Sequence, residues 1–142
     1  MHHASIIDRF ESIPRRELYF FGLFRVLEAG IMAALVFSPL SDLIGAPRNA
    51  ALGGTVAVAY LVAALVLLLA SRRERWLLPL VFGGACIDIL AATLATHALP
   101  SVAAGIAMML LFNVAAAAML LPLRYGMTVA LLASMALVSE YV

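Results

Sequence analysis

The sequence predicts an all-α, polytopic transmembrane bundle of five helices. Three observations carry this. Of the 142 residues, 65% are hydrophobic and 12% are charged, against roughly 45–50% and 25% in ordinary soluble domains. Mean hydropathy is +1.10. Five apolar stretches each approach the ~20 residues that cross a ~30 Å hydrocarbon core at ~1.5 Å per residue. The arginines, finally, fall almost entirely on one side of those stretches.

Residues 1–17 form a polar segment holding Asp8, Arg9, Glu11, Arg15, Arg16 and Glu17. Mixed signs are wrong for a secretory n-region, and the apolar run that follows exceeds the usual ~7–15 residues. Ser5–Ser12 can lie as an amphipathic helix on the membrane, with Ile6, Ile7 and Phe10 down, or remain loosely ordered. His2 and His3 sit at a terminus expected to fray, so no metal site is expected there.

Span 1 is Leu18–Phe37, a retained anchor. Ser38–Ala51 carries Pro39, Gly45 and Pro47 and reads as a loop. Span 2 is Leu52–Ala70, followed by the tight basic loop Ser71–Arg75. Span 3 is Trp76–Ala95, with Pro79 in its first turn, where a missing N–H costs little. Thr96–Pro100 reads as a short turn. Span 4 is Ser101–Leu121, closed by Pro122, and span 5 is Tyr125–Val142. Residues 18–142 therefore make up one membrane domain.

Seven arginines (Arg9, Arg15, Arg16, Arg72, Arg73, Arg75, Arg124) lie on one side of these spans, against Arg48 alone on the other. By the positive-inside rule the N-terminus is cytoplasmic. Five spans then leave the end of span 5 outside, so a sixth helix is expected to follow and the chain reads as a truncated six-helix module. All nine basic residues are arginine, a usage that suggests a GC-rich bacterial genome.

Span 1 carries Arg25 and Glu28, three apart and so on one helical face. Each charge near the midplane costs ~2.5–3.5 kcal/mol on insertion scales. That face must meet other helices or a wet cavity. Measured from the cytoplasmic side, Arg25 lies at ~10 Å and Glu28 at ~15 Å. Tyr60 lies at ~15 Å, Asp88 at ~18 Å, Asn113 at ~12 Å and Ser134 at ~13 Å. Each span thus places a polar side chain in one slab. Arg25 can pair with Glu28 or with Asp88. One cation against two carboxylates leaves a carboxylate that must carry a proton or bind something positive. The slab can be a satisfied network that fixes helix order, a site for a signal or partner helix, or an ion path.

The pairs Gly30/Ala34, Ala59/Ala63 and Ala91/Ala95, each four apart, suit close helix packing. Gly83 and Gly84 can flex span 3 or admit a neighbour. Trp76, Tyr19, Tyr125 and Tyr141 sit at span ends as interfacial anchors. No nucleotide-binding, zinc-protease or dithiol motif is present. Cys86 is the sole cysteine, so neither an intrachain disulfide nor a cysteine metal site is expected, and no cofactor is expected in this chain. No basic patch suggests nucleic acid. His97, the only non-terminal histidine, stands in the outer turn, so no catalytic set of Ser, His and Asp can be assembled.

From about Glu17 onward the chain resembles the membrane sensor region of PilS-type histidine kinases. The resemblance rests on Leu18–Tyr19 with Phe24–Arg25, Asp88 within CIDIL, Pro100–Ser101, Arg124 and Gly126 as R-x-G, and Ala133–Ser134. It implies a six-helix sensor that forms a homodimer and is regulated by the transmembrane helix of a partner such as pilin. It also implies a PAS domain and a kinase core that uses ATP and Mg and phosphorylates a response regulator. The boxes of that core are absent from this sequence. The resemblance and the slab together suggest Arg25, Glu28, Asp88, Tyr60, Asn113 and Ser134 as a signal or partner site, with Gly30, Ala34, Ala59, Ala63, Gly83 and Gly84 in helix packing. A small proton- or cation-coupled transporter, or an accessory subunit of a membrane complex, is the alternative.

Overall fold

A computed structural model describes residues 15–39, 45–71 and 77–141. Among these, five long α-helices follow one another: α1 (Arg15–Phe37), α2 (Ala50–Ala70), α3 (Leu77–Ala98), α4 (Ala103–Leu120) and α5 (Leu123–Tyr141). A short 3₁₀ turn, Pro100–Val102, leads into α4. The expected surface helix at Ser5–Ser12, His2 and His3, the basic loop at 72–75 and Trp76 lie outside the described residues.

The helix ends follow from local chemistry. Pro39 has no N–H to extend α1, whose last bond in that turn runs from Ser38 N to Ala34 O at 2.9 Å. Asn49 caps α2, its side-chain oxygen accepting from Leu52 N at 3.0 Å; this meets one of the orphan donors of a first turn. At the other end Ser71 donates from its backbone to Leu67 O and from its hydroxyl to Leu68 O. Pro122 opens α5, its carbonyl accepting from Tyr125 and Gly126.

The third helix corrects the sequence reading. It continues through Thr96, His97 and Ala98, where a turn was expected. Nothing in Thr96–Ala98 breaks a helix, and the first residue disfavoured in helical conformation is Leu99, directly before Pro100. The extension matters, because Ala98 O accepts from both Arg48 N and Asn49 N. The start of α2 is thereby tied to the end of α3.

Each helix packs on the next in sequence, and α3 is central, touching α2, α4 and α5. The contacts are built on small side chains: Ala29, Ala57, Ala64 and Ala117 are fully buried. Small residues let backbones approach closely, which is how helices associate where hydrocarbon removes the usual hydrophobic drive. The larger apolar residues, such as Leu27, Val62, Leu90 and Leu111, point outward, as they should against lipid. Among the described residues four helices, α1 to α4, are long and apolar enough to cross a membrane. The fifth is 19 residues long and more polar, with Arg124 near its start and Glu140 near its end. The whole is an all-α membrane bundle.

Candidate functional site

The polar side chains of α1 to α4 converge in the bundle interior. Arg25, Glu28, Asp88 and Asn113 are each 3% exposed, and Tyr60 is also buried. Arg25 on α1 reaches across to Asp88 on α3. Its Nε donates to Asp88 Oδ1 at 2.8 Å and its Nη2 to Oδ2 at 2.6 Å. This is a bidentate fork, the strongest form of charge-assisted hydrogen bond between side chains. Tyr60 on α2 donates its hydroxyl to Asp88 Oδ1 at 3.0 Å. Asp88 therefore gathers three hydrogen bonds from two other helices.

Two further residues shape this pair. Phe21, one turn before Arg25, lays its ring 4.7 Å from the guanidinium carbon, a distance at which the ring face attracts a cation. Gly84, one turn before Asp88, leaves the space in which the guanidinium lies. A Cβ there would stand 2.7 Å from Nη1 and 2.9 Å from Nη2. Of the two roles open to the paired glycines, Gly84 admits a neighbour. Gly83 has no atom near the place its Cβ would occupy.

Glu28 takes a separate partner. Asn113 on α4 donates Nδ2 to Glu28 Oε2 at 2.6 Å. The two acidic residues are thus served by different helices, and the arginine goes to Asp88 rather than to its neighbour on α1. Together the bonds tie α1 to α3 and α4, and α2 to α3, at one level of the bundle. In a low-dielectric interior such pairs hold helix order and rotation firmly while satisfied, and destabilise strongly when one member is lost.

Ser134 does not join them. It is exposed, and its hydroxyl donates to Ala130 O at 2.9 Å on its own helix. The inward stripe of α5 is Gly126, Val129 and Ala133, one position away. Ser134→Ala should accordingly shift the melting temperature of the purified protein by no more than ~2 °C, the response to a surface change within ±0.5 kcal/mol.

The remaining packing residues divide. Ala91 and Ala95 are buried. Ala34 and Ala59 are exposed, and Gly30 and Ala63 are half-buried, with nothing within 4 Å of the Cβ position of Gly30. Within this chain those two pairs do not lie at a tight helix contact. Tyr19 and Tyr125 are exposed near helix ends, as interfacial anchors should be, and Tyr125 also meets Phe82 edge-on at 5.8 Å. His97 is not isolated: its Nδ1 lies 2.9 Å from Glu140 Oε1, joining the C-terminal ends of α3 and α5.

Sequence reasoning missed Phe21 and the specific part played by Gly84. Both were detectable, since each precedes a charged residue by four positions and so shares its helical face.

No match came from comparison with curated proteins or with solved structures. A family model described as the PilS-like transmembrane domain matches residues 10–142. That span takes in all four helices that meet in the ionic layer and every residue of it, and the chain accordingly belongs to the PilS-like transmembrane domain family.

Proposed function

We propose that this chain is the membrane-embedded sensing and dimerisation module of a two-component histidine kinase that governs type IV pilus expression. Its partner would be the transmembrane helix of pilin, met within the bacterial inner membrane. The arginine tally supports a cytoplasmic N-terminus. The observation that carries the reading is the buried Arg25–Asp88 pair with its Tyr60 bond, set within a PilS-like domain.

The mechanism follows from the energetics of such a pair. An ion pair in hydrocarbon is held by geometry, so a small movement of α1 against α3 weakens it sharply. A partner helix that binds one packing better than the other shifts the balance between them. A bias of ~1.4 kcal/mol changes a two-state ratio about tenfold. Phosphotransfer, with its ATP, Mg and response regulator, belongs to a kinase region joined to this module. The outward small residues Gly30, Ala34 and Ala59 give a second copy or a partner helix a surface of close approach.

The test uses the full-length gene in its own host with a pilin-promoter reporter. Arg25→Gln and Asp88→Asn should each alter reporter output and abolish its response to deletion of pilin, with the protein still in the membrane. Purified protein in liposomes should carry no pH-dependent flux. Unchanged reporter behaviour in both variants, or a flux that Glu28→Gln removes, would overturn the reading, the second in favour of a transporter.

A further inference from the structure

Two oxygens of the buried layer have no hydrogen-bond partner among the described residues. They are Oε1 of Glu28 and Oδ1 of Asn113. Both side chains are 3% exposed, and their other polar atoms bond each other at 2.6 Å. An unmet buried acceptor costs ~1–3 kcal/mol, and nearly all such atoms in folded proteins have a partner.

A cavity of about 20 Å³ adjoins them, with Tyr60, Asp88 and Ala92 also in its wall. One water needs ~10–15 Å³ of such space and two to four polar neighbours. The space is that of a single water molecule. A hard divalent cation would need about six oxygen ligands. The walls do not offer them, because both Asp88 oxygens are already held by Arg25 and one also by Tyr60. Water both donates and accepts, so it can meet the Asn113 oxygen and the Glu28 oxygen in either state of that carboxyl.

We propose that this cavity is a binding site for a single water molecule, hydrogen-bonded to both Glu28 Oε1 and Asn113 Oδ1. The joint between α1 and α4 then has a direct bond and a water-mediated one side by side. A water bridge is nearly as favourable as a direct hydrogen bond and tolerates a wider range of separations. The joint to α4 is therefore the compliant side of the layer, and the fork to α3 the stiff side. This assignment rests on the geometry of the layer and not on the sensor reading. It is tested on the purified protein without any reporter, so either can fail alone.

The experiment is an experimental structure at a resolution that shows ordered water, for wild type and for the Glu28→Leu/Asn113→Leu double variant. The wild type should show one density peak about 2.5–3.0 Å from both oxygens, and the double variant should lose it. Should the double variant not fold, Ala92→Val, which fills the cavity from α3, replaces it with the same expected loss. Melting temperature should be the same in sodium and in N-methylglucamine buffers. A dry cavity in the wild type would overturn the proposal. So would a sodium-dependent rise in melting temperature that Glu28→Gln removes, which would assign the site to a cation.

Discussion

Replacing Asp88 with leucine will destabilise the bundle by ~3–5 kcal/mol, the usual cost of leaving one member of a buried ion pair alone. In a chain of this size that lowers the melting temperature by roughly 10–20 °C. The loss has two parts. The guanidinium of Arg25 is left without the carboxylate that takes its Nε and Nη2. The Tyr60 hydroxyl is left without its acceptor, at ~1 kcal/mol. The double variant Arg25→Leu/Asp88→Leu removes both charges and should recover most of the loss, since apolar replacements of a buried pair are often neutral or stabilising. The readout is thermal unfolding of wild type, both single variants and the double variant in one detergent or nanodisc. Strong non-additivity is expected; additive losses would mean that the two side chains do not hold each other.

The second large effect comes from the adjacent glycines, which should answer the same substitution with opposite signs. A methyl at Gly84 would lie 2.7–3.0 Å from three guanidinium atoms of Arg25. Those atoms end a long side chain, which can ordinarily give way. Here it can do so only by releasing Asp88 and withdrawing from Phe21. Gly84→Ala should therefore cost ~1–3 kcal/mol through overpacking, plus part of the ion pair, outweighing the ~1 kcal/mol that alanine contributes to helix propensity. Gly83→Ala meets nothing within 4 Å and should be neutral or stabilising by up to ~1 kcal/mol. In an Arg25→Ala background the penalty at Gly84 should vanish. Melting temperatures of the two variants in both backgrounds check this.

The long helices of the described residues were legible in the sequence, because hydrocarbon thickness and backbone satisfaction leave few choices. The polar layer was legible as a depth. Arg25, Glu28, Tyr60, Asp88 and Asn113 do come together, and residue count along each span was enough to expect it. Depth does not give rotation, and that is where Ser134 went astray. It lies at a suitable height but about 100° from Ala133 around α5. Serine can also satisfy itself on the carbonyl four residues back, so it does not need the layer, whereas an arginine does. The choice of partner was likewise hidden. Glu28 is closer to Arg25 in sequence, yet the fork reaches the helix whose Gly84 leaves room for it. The outward position of Gly30 and Ala34 shows the same limit: a four-residue spacing marks a face without saying which way it turns.

The two ends of the Arg25–Asp88 pair are 63 residues apart in the chain. At ~5–20 residues per second, ribosomes need about 3–13 s to go from one to the other. For that interval the first helix has an arginine and no counter-ion from α3. The fork can therefore close only after α3 has been made, and until then Glu28, one turn away, is the nearest carboxylate on the same helix.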